Sequence, residues 1–195
     1  MDRASFARAI RGAQTPEDRV AWFGAMLAAE TERAIEVVGD SAIEVYLSSS
    51  EYVSEDIDLV GDKSAIESVL TRWGFRQIVG RSKRSYWVHK GVGLVDLVGL
   101  TDRSGLSPRK VATPFGPVLL SSPEPLLVRR LVRAKRENSE NLFEQAVSLA
   151  RLPDLDWEYI EIEARYEDVE ATLARLRASL RRRIRTPSTT SHAKS

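Results

Sequence analysis

The segment 56–59, Asp-Ile-Asp-Leu, places two carboxylates two residues apart inside a short apolar run. Such a run, bounded by polar residues, predicts a β-strand. Successive side chains of a strand point to opposite faces, so Asp56 and Asp58 must emerge on the same face. Two carboxylates this close repel each other, and either of two surroundings accounts for the pair. One is a divalent cation such as Mg²⁺, which prefers hard oxygen ligands; the other is a solvated strand edge opposite basic side chains.

The pattern of the remaining chain predicts an α/β (α+β) protein with a small mixed β-sheet core, flanking helices and a C-terminal helical region. A core with N-terminal helices is expected over residues 1–120, a helical region over 121–185 and a disordered Ser- and Thr-rich tail over 186–195. Helical spacing is found at 3–12, 16–34, 40–46, 62–73, 122–137, 140–151 and 155–185, the last broken near residue 166. Strands are predicted at 35–38, 56–60, 75–79, 85–89 and 94–100, with a hairpin inside 111–120 after a polar loop over 101–110.

Composition excludes several kinds of chemistry. The chain has no cysteine, which rules out disulfides, thiolate nucleophiles and cysteine-ligated metals. It has only two histidines, His89 and His192, and the second lies in the predicted tail, so a multi-histidine metal site is excluded. No apolar run approaches the roughly 20 residues of a membrane span, and the N-terminus does not resemble a signal peptide. The expectation is a cytoplasmic protein with no membrane partner.

Two further segments carry candidate site residues. In segment 37–41, a predicted strand runs through Gly39 into a predicted helix. A glycine at such a turn lets the backbone approach a ligand, and free N–H groups at a helix start favour phosphate. The same pattern is also an ordinary capped connection. Asp96 lies in a later apolar strand, where an acid is costly to bury unless it is paired, liganded or at an open edge.

Together these segments resemble the nucleotidyltransferase superfamily typified by DNA polymerase beta. Its pattern is an apolar residue, Gly, then Gly or Ser, about a dozen residues, an Asp-apolar-acid-apolar strand, and a third acid on a later strand. The likeness covers about residues 35–150 and extends to small members that include AbiE- and MenT-type toxins. Those toxins share the Asp-Ile-Asp strand and a Leu-Ser-Pro-Glu helix start followed by a basic-Leu pair. Segments 120–124 and 130–131 are similar to these two features.

The resemblance implies a Mg²⁺- or Mn²⁺-dependent transfer of a nucleoside monophosphate from an NTP to an acceptor hydroxyl. It implies catalytic and metal-binding roles for Asp56, Asp58 and Asp96. Nucleotide-binding roles follow for Gly39, Asp40, Ser41 and Arg130. The implied acceptor is RNA, such as a tRNA 3′ end, or a protein hydroxyl, and the toxin likeness implies a cognate antitoxin.

Some positions depart from the superfamily pattern. Asp40 replaces the second Gly or Ser of the turn and either brings a negative charge to the phosphate position or caps the helix. Tyr52 stands where relatives often have Arg, and Arg130 where they have Lys; Arg binds phosphate but does not donate a proton at neutral pH. Two alternatives to catalysis therefore stay open. One is a non-catalytic module of the same fold that binds nucleotide, RNA or protein, and the other is an assembly partner that buries Leu173 and Leu180 between chains.

Basic residues form two groups along the sequence. The turn 81–84 is predicted either to contact a polynucleotide, with Tyr86 and Trp87 as stacking surfaces, or to be solvated. Arginines crowd the last predicted helix, whose simplest account is an amphipathic helix with favourable cations near its C-terminus and whose alternative is RNA binding. His89 is expected to pack beside Trp87 in the hairpin.

Overall fold

The computed structural model describes residues 1–48, 53–80, 85–98 and 105–185, with side chains as far as residue 182. The chain divides into a first unit, Met1–Ser122, and a second unit, Pro123–Ser195. The first unit contains four helices: α1 (Arg3–Gly12), α2 (Pro16–Thr31), α3 (Gly39–Leu47) and α4 (Lys63–Trp73). Its seven strands are β1 (Glu36–Val37), β2 (Asp56–Val60), β3 (Arg76–Val79), β4 (Ser85–His89), β5 (Gly93–Leu97), β6 (Arg109–Thr113) and β7 (Gly116–Leu120).

The strands form one mixed sheet in the order β3-β4-β5-β2-β1-β7-β6. Strands β2 and β5 pair in parallel, as do β1 and β7, whereas the other neighbours are antiparallel. The predicted α/β (α+β) class with a mixed sheet core is therefore confirmed.

One face of the sheet forms the core of the first unit. Along β2, Ile57 and Leu59 are buried, whereas the two aspartates between and before them are only partly buried. Helix α2 packs closely on this core at Gly24, where a Cβ would come within 2.9 Å of Val37 and closer still to Val118. The absence of a side chain at Gly24 thus allows the helix to approach the sheet.

An aromatic cluster joins the first helix to the sheet. Phe6 of α1 stacks on Trp73 of α4 with ring centroids 4.2 Å apart, and both rings contact Phe23 of α2. His89 stacks on Phe75 at 4.8 Å and meets Phe6 edge-on at 5.4 Å. The ring contacts of His89 therefore come from these two phenylalanines rather than from Trp87, the neighbour expected from the hairpin pattern.

The second unit is helical: α5 (Pro123–Glu137), α6 (Glu140–Leu149), α7 (Trp157–Tyr166) and α8 (Glu170–Arg185). The predicted break near residue 166 is present, because Tyr166 ends α7 and Val169 precedes α8. Leu173 and Leu176 of α8 are buried within a single chain, so this part of the apolar stripe does not require a second chain to cover it. This argues against the assembly-partner alternative for Leu173.

The arginines of α8 are partly occupied by contacts inside the second unit. Arg175 hydrogen-bonds Glu140 at 2.6 and 2.7 Å and lies 3.9 Å above the Phe143 ring. Arg177 pairs with Glu161 and lies over the Trp157 ring. These two side chains thus contribute to helix packing inside the second unit.

Most predicted bounds agree with the structure within two residues, and two differences are informative. Helix α2 ends at Thr31 rather than 34, because Glu32 adopts a left-handed conformation with φ +53°. Strand β6 begins at Arg109, inside the predicted polar loop. The predictions for Tyr52, the basic turn 81–84 and the tail 186–195 lie outside the described residues. In the part of the chain that the structure describes, every helix is too short or too polar to cross a bilayer.

Candidate active site

Three aspartates lie on one face of the sheet, on the parallel strands β2 and β5. Asp58 of β2 and Asp96 of β5 are register partners, and Asp56 is aligned with Leu94. Register partners on neighbouring strands project to the same face, and residues two apart share a face. Asp56, Asp58 and Asp96 therefore share one face of the sheet, opposite the Ile57 and Leu59 core.

The three carboxylates differ in burial. Asp96 is only 5% exposed, whereas Asp56 and Asp58 are half-buried. An acid as buried as Asp96 needs compensation by hydrogen bonds or by a positive ligand. The other register neighbour of Asp96 is Tyr86 of β4, which extends the same face beyond the carboxylates.

Asp56 experiences the negative charge of its neighbours. Burial raises its pKa, and repulsion from the Asp96 and Asp40 carboxylates raises it further. Like charges that disfavour each other's ionised form mark a place where a cation would be favoured.

Gly39 brings the start of α3 against Asp58. Its φ is +61°, in the left-handed region that favours glycine, and a Cβ there would lie 2.5 Å from Asp58 Oδ2. Val38 N–H also donates to the Asp58 carbonyl at 3.0 Å. The strand-to-helix turn is thus held directly beside one of the carboxylates, at a distance that only glycine permits.

Ser41 has a different role from the one its position implies. Its hydroxyl is fully buried, donates to the Asp56 carbonyl at 2.8 Å and accepts the Asp58 N–H at 3.0 Å. Both bonds tie α3 to β2 on either side of Ile57. The side chain of Ser41 therefore positions the two aspartates, and only its backbone N–H is left for a ligand.

Asp40 and Arg130 complete the predicted set. Helix α3 begins at Gly39 with Val38 in the N-cap position and no side-chain capping bond, so the alternative in which Asp40 caps the helix is wrong. Asp40 lies in the first turn, where a carboxylate is favoured by the helix dipole. Arg130 is a buried residue of α5 in the second unit, whereas the aspartates, Gly39 and Ser41 all belong to the first unit.

The residues present fit a divalent cation in the chemistry of their donors. They are carboxylate oxygens on neighbouring rigid strands, which suit Mg²⁺ or Mn²⁺. Among residues 1–48, 53–80, 85–98 and 105–182, however, no three acidic or histidine side chains are gathered closely enough to hold a metal ion by themselves. Mg²⁺ is commonly held by one or two carboxylates, with waters and substrate phosphates as its other ligands. The three-carboxylate ligand set stays a prediction.

Sequence reasoning missed one buried acid beside this site. Glu44 of α3 is 2% exposed, and it accepts the Ser54 N–H at 2.7 Å, while burial raises its pKa. It lines a small cavity of about 40 Å³ together with Asp56, Ser54 and Arg19. Glu44 thus fastens the segment that leads into β2. The sequence signal was weak, because its helix is short and glutamate is common in helices.

The fold is that of nucleotidyltransferase-like proteins. The chain superposes on an antigenic nucleotidyltransferase-like protein from Paracoccidioides brasiliensis with a TM-score of 0.59 and 14% identity, over 84% of this chain and 93% of that one. No protein-family model matches the chain, and no curated protein matches its sequence.

Two further solved structures match with lower TM-scores. The antibiotic-resistance factor ANT(2″)-Ia gives a TM-score of 0.42 at 17% identity, over 85% of this chain and 92% of that one. The lincosamide antibiotic adenylyltransferase LnuA, bound to lincomycin, gives 0.46 at 14% identity, over 64% and 90%. At 14% identity, the likeness to the Paracoccidioides brasiliensis protein establishes the architecture alone.

Proposed function

We propose that this chain is a metal-dependent nucleotidyltransferase that moves a nucleoside monophosphate from an NTP to an acceptor hydroxyl. The observation that carries the proposal is the acidic face of the parallel strands. Asp58 and Asp96 are paired in register there, Asp56 lies on the same face, and Gly39 places the start of α3 against Asp58. Backbone N–H groups at a helix start favour phosphate and carboxylates favour a divalent cation, so the two together support phosphoryl transfer.

The proposed reaction assigns separate tasks to the residues. Asp56, Asp58 and Asp96 would hold the divalent metal, which when bound would neutralise phosphate charge and make the acceptor hydroxyl more acidic. The backbone N–H groups of Gly39 and Ser41 face the triphosphate. The nucleotide-binding role of Arg130, a residue of the second unit, stays a prediction. Asp96 orients the acceptor hydroxyl and takes its proton. The acceptor oxygen then bonds to the α-phosphorus, the bond to the bridging oxygen breaks, and pyrophosphate leaves with its electron pair.

The acceptor follows from the toxin resemblance and not from the shape of the site. We propose RNA, with a tRNA 3′ end as the first substrate to test, or a protein hydroxyl, and a cognate antitoxin as the regulating partner.

The test is transfer of label from each of four α-labelled NTPs to total RNA or to protein, with Mg²⁺ or Mn²⁺. Asp58→Asn is compared with Asp62→Asn, since both changes remove one negative charge at constant shape. Asp62 is an exposed N-cap of α4, and asparagine caps about as well as aspartate. Label transferred by wild type and Asp62→Asn but not by Asp58→Asn supports the proposal. Equal transfer by all three proteins would refute it.

A second candidate is a non-catalytic binding module of the same fold. It is favoured by Asp40, whose charge adds to the repulsion on Asp56 at the phosphate turn, and by the Ser41 hydroxyl, which is already bonded to β2. This candidate predicts metal-dependent NTP binding with no pyrophosphate release at any Mg²⁺ or Mn²⁺ concentration. Detectable release by wild type and none by Asp58→Asn would exclude it.

A further inference from the structure

A second cavity of the first unit is lined by basic residues, and none of the described residues in its wall is acidic. It has a volume of about 460 Å³, within the usual range of small-molecule pockets. We call it the basic pocket, and its lining residues are Arg3, Gly74, Arg76, Val88, His89 and Lys90. None of the three site aspartates lines it. Tyr86 of β4 is the register partner of Asp96. His89 lies three residues further along β4, which places it about 10 Å from Tyr86.

The three cations of the basic pocket lack a counter-ion among the described residues. Within that part of the chain, Arg3, Arg76 and Lys90 form no ion pair and no side-chain hydrogen bond, whereas nearby Arg72 pairs with Glu30. Arg3 is also held in place, because its guanidinium packs against Gly74 where a Cβ would come within 2.5 Å of Nε. Positive charges lining one concave wall concentrate a field that attracts anions.

His89 adds a neutral donor to the same wall. Its Nδ1 accepts the Gly91 N–H at 3.1 Å, so in the neutral ring the hydrogen is on Nε2. Stacking on Phe75 and the edge contact with Phe6 fix the ring plane. Burial and the nearby charge of Arg3 lower the pKa of His89, so the ring is neutral at pH 7. The wall therefore offers two guanidinium groups, one ammonium group and one N–H donor.

We propose that the basic pocket binds the phosphate group of a small phosphorylated molecule. A phosphate monoester carries nearly two negative charges at pH 7 and several acceptor oxygens, which match multiple cationic donors better than a single carboxylate does. Arginine suits this ligand because its planar fork binds phosphate oxygens in pairs. The volume of the pocket fits a phosphate with a sugar-sized group attached. This proposal does not depend on the nucleotidyltransferase proposal.

The two histidines of the chain make the test specific. His89 and His192 give the only imidazole signals in a ¹H–¹³C spectrum, and His192→Gln assigns them. The full chain is titrated with ribose 5-phosphate, inorganic phosphate or ribose, with EDTA present so that no metal ion links phosphate to the aspartates. The expected result is a saturable shift of the His89 signal with both phosphates, none with ribose, and a rise of the His89 pKa on binding.

Variants locate the site. Arg76→Gln and Lys90→Gln should each weaken ribose 5-phosphate binding about tenfold, since each removes a charged hydrogen bond to the anion. Lys63 is another exposed cation, on α4, and it does not line the pocket, so Lys63→Gln should bind as wild type does. Three results would each overturn the proposal: an unmoved His89 signal, equal shifts with ribose, or wild-type affinity in both pocket variants. Binding of a 5′-phosphorylated RNA but of neither small phosphate would also overturn it.

Discussion

Replacing Gly39 with alanine tests the close contact between the α3 turn and Asp58. At φ +61°, alanine destabilises the folded state by about 1–2 kcal/mol because an L-residue disfavours the left-handed conformation. Alanine also restricts the unfolded chain, and this offsets about 0.5 kcal/mol of the loss. The new methyl group would also lie 2.5 Å from Asp58 Oδ2, against an ordinary contact near 3.4 Å, so the carboxylate or the turn must move by about 0.9 Å. Overpacking of this kind adds about 1–3 kcal/mol, for a total loss of about 2–4 kcal/mol.

Gly105→Ala is the matched control for this change. Gly105 has φ +71°, close to that of Gly39, but a Cβ there would have no atom within 4 Å. The control should lose only the backbone contribution, about 1 kcal/mol. Urea unfolding of the two variants measures the difference. Equal losses of unfolding free energy would refute the close approach of Gly39 to Asp58.

The same pair of variants separates stability from catalysis. A displacement of about 1 Å at a reacting group costs on the order of a hundredfold in rate. We therefore expect transfer by Gly39→Ala to fall about a hundredfold under conditions where both variants are folded, whereas Gly105→Ala keeps wild-type transfer. A destabilised Gly39→Ala with wild-type transfer would show that Asp58 takes no part in the chemistry.

Three other perturbations probe the surroundings of the aspartates. Asp96→Asn should lower the pKa of Asp56, because it removes one of the repelling charges. That pKa should still lie above its usual value, because burial remains. A ¹³C carboxyl titration that shows no change in the Asp56 pKa would contradict this. Ser41→Ala should lower the free energy of unfolding in urea by about 1–3 kcal/mol, because the Asp58 N–H loses its buried acceptor. Ser48→Ala removes only an exposed hydrogen bond and should lower it little. Equal losses in the two variants would contradict this. Burial raises the pKa of Glu44 in the folded state above its unfolded value of 4.5. Wild type should therefore lose stability as pH rises from 4.5 through the folded-state pKa, and Glu44→Gln should lose less over the same range. Identical profiles of unfolding free energy against pH would rule this out.

The strands that could be predicted from the sequence are those with one buried and one polar face. Strands β2 and β4 have the predicted bounds, because alternation at period two fixes both their type and their exposed face. Strand β6 is an edge strand in which Val111 and its neighbours are at most half-buried, so its first residues, Arg109 and Lys110, carry no hydrophobic signal. The early end of α2 also lacks a signal, since Glu32 takes a left-handed conformation without glycine.

Part of the candidate site was also predictable from the alternation of side chains along a strand. Spacing alone places Asp56 and Asp58 on one face, but it does not give the register that aligns Asp58 with Asp96, because that register depends on pairing between strands distant in sequence. The hydroxyl bonds of Ser41 to β2 are likewise tertiary contacts. The basic pocket has no local motif, because its cations come from α1, β3 and the turn after β4.

The two-residue strand β1 makes the sheet depend on a distant part of the chain. Val37 pairs with Leu59 on one side and with Leu120 on the other, and Ser121 N–H donates to the Val37 carbonyl at 2.9 Å. The pairing of β1 with β2 closes a short loop. The pairing of β1 with β7 joins residues far apart in sequence, so we expect it to form more slowly. We therefore expect strands β2 to β5 to assemble the aspartate face before the hairpin joins, and we expect late assembly or partial opening of the sheet to take place at β1.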